Sequence, residues 1–406
     1  MQYIDGGVCA AKGFKASGLH CGVKAGSDPN KKDVALIVSD VTCSAAAVYT
    51  KNVVKAAPLH ITRAHLKNGR ATAVIANSGN ANACAPHGEE NAIRVCQAVA
   101  KELDIPADDV IVASTGVIGQ PLNAAAIEAG IPTLKANLST SGSTDAACAI
   151  MTTDTVKKEA AVEAVIAGKT VHIGGISKGS GMIHPNMGTM LCFITTDAAI
   201  SPEMIKSALL ETVAVSFNRI SVDGDTSTND MCCVLANGMA GNDEITAKDE
   251  NYTAFVTAMK ALCTTLAREM ASDGEGAKHL ITCTVRGAAS EEKAECLSKS
   301  VISSTLTKAA IFGADANWGR ILCAMGYSGA KFDPETVSVS FQSAAGSILV
   351  CENGRGLDFD EDLAKRILTE HDIVIDISLT EGAAECTCWG CDITYDYIQI
   401  NGDYRT

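Results

Sequence analysis

Lys178-Gly-Ser-Gly-Met-Ile-His-Pro-Asn-Met-Gly-Thr-Met-Leu191 carries the chain from a glycine-broken approach straight into an apolar segment that opens on Thr189. The approach, Gly174 to Gly188 (GGISKGSGMIHPNMG), is too rich in glycine, with Pro185 besides, to read as a regular element. The segment after it, Thr189 to Ala198 (TMLCFITTDA), reads as a buried β-strand. The junction predicts a loop feeding a central strand whose first residue is threonine. By itself that is an ordinary way to begin a strand. Chemically it offers more. A threonine hydroxyl is a weak nucleophile until a base stands beside it, and one solution is an N-terminal threonine whose own α-amine is the base. A free α-amine titrates at about 7.7–8.0, so a useful fraction is neutral near pH 7. An internal Thr189 reaches that state only if the Gly188-Thr189 bond is cut. Gly188 has no side chain to obstruct attack of the hydroxyl on the upstream carbonyl.

Outward from the junction, both element types recur. Asp33 to Asp40, Ala71 to Gly79 and Asp109 to Gly116 read as strands, each closed by a turn. An Ala-rich helix follows Pro121 as far as Ala129, and Asn91 to Leu103 predicts another. In the last third, Ser290 offers an N-cap to a helix carrying Ala294, Leu297 and Val301 on one face. Val337 to Phe341 and Asp372 to Leu379 alternate as strands, with a helix at Asp360 to Glu370 between them. The class is α/β. No linker, repeat or low-complexity tract marks a domain boundary.

Composition excludes several functions. The chain has 406 residues, 47% of them hydrophobic and 20% charged, the balance of a packed globular protein. Its net charge of -14 disfavours nucleic acid and anionic membranes as partners, because the long-range field repels phosphate. No apolar run reaches membrane-spanning length, and Met1 to Asp5 does not read as a secretory leader, so a cytoplasmic protein is expected. The 17 cysteines are odd in number and scattered through apolar stretches, which fits free buried thiols.

The quoted stretch, Lys178 to Leu191, resembles the self-cleavage signature of the ornithine acetyltransferase family, the glutamate N-acetyltransferases of arginine biosynthesis. Ser114-Thr-Gly-Val-Ile-Gly119 is similar to that family's oxyanion-hole segment, and Met151-Thr-Thr-Asp-Thr155 to a substrate-binding segment. Phe217 to Asp230, Gly313 to Arg320, Trp389 to Asp392 and Ile400 to Thr406 resemble further hallmarks, in the expected order along most of the chain. The resemblance implies an N-terminal-threonine nucleophile enzyme that cuts itself at Gly188-Thr189 into an α chain, 1–188, and a β chain, 189–406. Two of each would form a heterotetramer. Thr189 would be the nucleophile, with Thr115 (hydroxyl) and Gly116 (backbone N–H) forming the oxyanion hole. Thr152, Lys178, Thr189, Glu275, Asn401 and Thr406 would bind substrate. The substrates implied are N-acetylornithine and glutamate. No bound cofactor or metal is implied, and acetyl-CoA stands open as a co-substrate. Lys178 suits a substrate carboxylate and Glu275 an amino group. One departure is Gly188, where the family commonly has alanine.

Rival readings are weaker. Gly175-Ile-Ser-Lys-Gly179 fits a nucleophile elbow around Ser177, but Gly179, Gly181 and Pro185 forbid the helix that motif needs. Gly168-Lys-Thr170 lacks the first glycine of a phosphate loop, since position 163 is Glu163. Asp223 to Asp230 lacks the turn glycine of a calcium loop. Cys386, Cys388 and Cys391 would suit a Cys-rich metal-binding protein, yet no second thiol pair lies nearby. The nearest enzymatic rival is an amidase or aminopeptidase that uses the same threonine and passes the acyl group to water.

Overall fold

The computed structural model describes residues 1–184 and 190–402. Gly188, Thr189 and Thr406 therefore lie outside the described residues, and with them the scissile bond. Over the described residues the chain forms two compact units, one of residues 1–179, 190–218 and 226–270, the other of 180–184, 219–225 and 271–402. The units interleave along the chain, so they are a different division from the α and β chains of the expected cleavage.

The first unit is built on a mixed sheet of nine strands among the described residues. In chain order these are β1 (Gln2–Ile4), β2 (Phe14–Leu19), β3 (Val34–Tyr49), β4 (Arg70–Asn77), β5 (Val110–Ser114), β6 (Lys158–Ile166), β7 (Lys169–Lys178) and β8 (Leu191–Thr196), then, after β9 (Ile220–Ser221) of the second unit, β10 (Met231–Ala236). Across the sheet the order is β1-β6-β7-β8-β10-β3-β4-β5, with β2 on β3. Helices α1 (Ala57–His65), α2 (Gly88–Leu103), α3 (Ala124–Ala136), α4 (Ser143–Ala149), α5 (Pro202–Val215) and α6 (Glu250–Ser272) belong to the same unit. Phe14, Ile37, Ile176, Phe193 and Leu235 meet in one core, and Leu36, Ile75, Val99 and Ile127 in another. β8 is buried at every position, as its unbroken apolar run requires.

The second unit has a seven-stranded sheet that takes β9 at one edge and β11 (Leu280–Ala288), β12 (Ser338–Ser343), β13 (Gly346–Glu352), β14 (Arg355–Gly356), β15 (Asp372–Ser378) and β16 (Ala384–Cys391). Its helices are α7 (Glu291–Ser303), α8 (Thr305–Phe312), α9 (Trp318–Gly326), α10 (Glu361–Leu368) and α11 (Tyr395–Gly402). Ser290 caps α7 as expected, its side chain accepting from the Lys293 N–H.

Two expectations are corrected. The glycine-rich approach is not loop throughout, because Gly174–Lys178 completes β7. The glycines there serve close approach: a Cβ on Gly174 would sit 1.7 Å from the Gly7 carbonyl oxygen. The long strand read from position 33 does not stop at Asp40 but continues to Tyr49 past an irregularity between Val38 and Cys43. The 23-residue α6 is an addition that the sequence reading leaves unassigned. All 17 cysteines are free.

Candidate active site

In the first unit, β4 and β5 run parallel and end together at Asn77 and Ser114. The chain after β5 turns at Thr115-Gly116, held by the Thr115 N–H donating to the Asn77 carbonyl at 2.9 Å. Three asparagines fix this turn. Asn77 accepts from the Ser114 hydroxyl at 2.7 Å, Asn80 donates to the Gln120 and Pro121 carbonyls, and Asn229 donates to the carbonyls of Ala81 and Ser114 at 2.6 and 2.8 Å. Gly116 has φ +129°, and a Cβ there would lie 2.4 Å from the Gly79 carbonyl carbon. Only glycine fits that backbone. Neither the Thr115 hydroxyl nor the Gly116 N–H is hydrogen-bonded to any of the described residues. The two donors expected at an oxyanion hole are thus held rigidly on uncommitted atoms.

β7 ends at Lys178, which pairs across to Leu191 at the start of β8; Leu191 in turn pairs with Met231 of β10. The Lys178 ammonium donates to the Thr152 hydroxyl at 2.8 Å, so two expected substrate-binding residues touch. Asp154 lies behind them, its side chain fully buried. It accepts from Lys158 at 2.8 Å, from the Gly179 N–H at 2.7 Å and from the Thr152 N–H at 3.1 Å, and stands 3.8 Å from Lys178. Burial opposes its charge, but Lys178 and Lys158, with these hydrogen bonds, hold the carboxyl well below the usual range. Asp230, just before β10, is the reverse case. Burial pushes its carboxyl well up, against the smaller pull of Ser227, Lys178 and Thr50.

In the second unit, Glu275 and Asn401 come together, the Asn401 amide donating to Oε2 at 2.7 Å. Glu275 is only 5% exposed. A Cβ on Gly181 would lie within 2.4 Å of all three carboxyl atoms of Glu275, so glycine there gives the carboxylate its room. The Glu275 N–H donates to the Ser180 carbonyl at 2.9 Å. The C-terminal helix is tied back by the Thr394 hydroxyl donating to the Gly276 carbonyl at 2.7 Å. The Asp223 carboxylate accepts from the N–H groups of Met182, Ile183 and Asp225, which form an amide cradle. His184, 3.0 Å from the Ser221 hydroxyl, is brought down to about 4 by burial, and so is neutral at pH 7.

The structure thus brings Lys178 to Thr152 in one unit and Glu275 to Asn401 in the other, and sets Thr115-Gly116 on a braced turn. Ser177 lies inside β7 and not on a strand-to-helix turn, which removes the nucleophile elbow. Strand alternation puts Cys386 and Cys388 on one face of β16 and Cys391 on the other, so the three thiols do not converge.

The ArgJ family model matches residues 15–406. The chain belongs to the ArgJ family. The arginine biosynthesis bifunctional protein ArgJ of Symbiobacterium thermophilum is 50% identical over 407 residues, covering 100% of both chains. That of Caldanaerobacter subterraneus is 47% identical, again over 100% of both. Among solved structures, the chain is similar to the ArgJ protein of Bacillus halodurans, with 42% identity, a TM-score of 0.49 and coverage of 51% of this chain and 96% of that one. As an ArgJ protein the chain is an acyltransferase of arginine biosynthesis. No helix among the described residues is long and apolar enough to cross a membrane. Two buried aspartates of the first unit escape the sequence reading. Asp154 sits inside the quoted Met151 to Thr155 and Asp230 at the end of Phe217 to Asp230, but nothing local marks either as buried.

Proposed function

We propose that the chain cuts itself at Gly188-Thr189 and moves an acetyl group from N-acetylornithine to glutamate through an acetyl-threonine ester. The observation that carries this reading is the braced Thr115-Gly116 turn with both donors uncommitted. In the cleavage step the Thr189 hydroxyl attacks the Gly188 carbonyl, the C–N bond breaks to give an ester and a free α-amine, and water then hydrolyses the ester, releasing the Gly188 carboxylate and restoring the hydroxyl. In the transfer step the Thr189 oxygen attacks the acetyl carbonyl while the α-amine takes the hydroxyl proton. The oxyanion is met by the Thr115 hydroxyl and the Gly116 N–H. Collapse expels ornithine, whose nitrogen collects the proton from the α-ammonium. The amine of glutamate then attacks the ester, and N-acetylglutamate leaves with the threonine hydroxyl restored. Lys178 and Thr152 offer cation and hydroxyl to a substrate carboxylate, and Glu275 offers a carboxylate to an ammonium. Thr406 completes the set by resemblance. The bifunctional form of the reaction adds acetyl-CoA as donor to glutamate, and the active assembly is two α and two β chains in the cytoplasm.

Intact mass of the purified protein tests the cleavage: two fragments dividing at Gly188-Thr189 are expected, and an uncut chain that still transfers acetyl overturns the role of the α-amine. Thr189→Ala is expected to stay whole and inactive. Thr115→Val should lower kcat about 100-fold with KM little changed, the signature of a donor used in the transition state. Competition between glutamate and water for the acetyl group separates the transferase from an amidase, since dominant release of free acetate would favour the latter.

A further inference from the structure

A large cleft lies in the first unit along the outer edge of β3. Its volume is about 1050 Å³, and a recess of about 310 Å³ shares Tyr49, Lys55, Arg63 and Lys67 with it. Ala45 to Thr50 form the floor. Lys55, Arg63 and Lys67 come from α1 and its flanks, and Glu203 and Lys206 from the first turns of α5. Lys51 adds a fifth cation, so five cations face a single carboxylate in a chain whose net charge is -14. Arg63, Lys67 and Lys206 form no ion pair among the described residues. Clustered like charges of this kind repel one another, and a bound anion relieves that cost.

The floor offers donors of its own. β10 pairs with β3 along Ser44 to Tyr49, and the Ala45 N–H donates to Gly69 on the opposite edge. β4 begins only at Arg70, so alternation turns the peptide groups of Ala47 and Tyr49 toward the cleft, with no strand partner among the described residues. The Arg63 guanidinium lies 5.0 Å from the centre of the Tyr49 ring, which leaves a flat cationic and aromatic platform. The volume suits a nucleotide-sized ligand.

We propose that this cleft binds a phosphate-bearing molecule of nucleotide size, its phosphates held by Arg63, Lys67 and Lys206. A free nucleotide and the nucleotide end of coenzyme A share this chemistry. Position favours coenzyme A. Tyr49 pairs with Met231 and Met231 with Leu191, so the floor stands two strand spacings, about 10 Å, from the start of β8. Thr50 also bonds the loop before β10, its hydroxyl donating to Ser227 at 2.8 Å and its N–H to Asp230 at 3.0 Å. The assignment to coenzyme A rests on the acetyl-transfer reading; the phosphate site does not.

Titration calorimetry of the whole processed protein with ADP and with coenzyme A tests the site, on the wild type and on the Lys67→Glu/Lys206→Glu double variant. The wild type should bind at least one of them, more weakly as salt rises, and the double variant should bind about thirtyfold less tightly or worse. Circular dichroism checks that the variant folds. Tighter binding of coenzyme A than of ADP, with a raised KM for acetyl-CoA and an unchanged KM for N-acetylornithine, supports the donor. Equal binding of ADP with an unmoved KM for acetyl-CoA supports a free nucleotide at the same phosphate site. Failure of the wild type to bind either probe, or equal binding by the double variant, overturns the proposal. A double variant that binds normally but changes oligomeric state by light scattering also overturns it, in favour of a contact between copies. A protein that transfers no acetyl while the double variant still loses ADP binding would sink the acetyltransferase reading alone.

Discussion

Asp154 and Asp230 are the same side chain, buried in the same unit, and their carboxyl groups are pushed in opposite directions. Asp154 is surrounded by two ammonium groups and two N–H donors. Asp230 has hydroxyl neighbours and the more distant field of Lys178, and its Oδ2 bonds to none of the described residues. Burial raises both. What differs is the number of donors brought to each carboxylate, and that decides the direction of each shift. Asp154 anchors Lys178 from behind and leaves that ammonium facing the Thr152 hydroxyl.

The comparison breaks hardest at Lys158. Its side chain is 0% exposed, so Lys158→Met removes one of the two cations from a buried anion and should cost about 3–5 kcal/mol in urea unfolding. A loss under about 1 kcal/mol would mean that Asp154 is not charged. Asp154→Asn comes next, with a loss of about 2–3 kcal/mol at pH 7 from two buried cations left without their anion. Here the sign follows from a folded value below the unfolded one, about 3.9. Wild-type stability from this group is complete above that pH and is lost as pH falls toward the folded value; the variant should lose that acid dependence. KM for N-acetylornithine should rise as well, because Lys178 loses its anchor.

Asp230→Asn should have the smallest effect, within about 1 kcal/mol, and at pH 7 it should be neutral or stabilising. The folded carboxyl holds its proton above about 3.9, where the unfolded chain releases it, so wild-type stability declines as pH rises past that point. The variant should lack this decline. A pH profile in which both Asn variants shift in the same direction would break the comparison.

Much of the first unit is legible from local pattern. Val110 to Ser114 and Arg70 to Asn77 are short β-branched runs closed by turns, and they form neighbouring strands. The residues quoted for the candidate site came from the family resemblance, carried by stretches such as Ser114-Thr-Gly116, which local pattern alone reads as an ordinary turn. The end of β7 was not readable. Gly174 and Gly175 look like loop by composition, and their role comes from a backbone brought in from Gly7, far away along the chain. The extension of β3 to Tyr49 depends likewise on β10, which pairs with its second half.

By itself the sequence determined that Thr189 follows a small residue and that a Thr-Gly pair closes a strand. Those are properties of neighbours along the chain. Tertiary structure alone decided that Lys178 meets Thr152, that Asn401 meets Glu275, and that asparagines from two separate segments brace the turn at Gly116. It also decided the direction in which each buried aspartate is shifted. Solvation and the count of nearby donors set that direction, and both are supplied by residues remote in sequence.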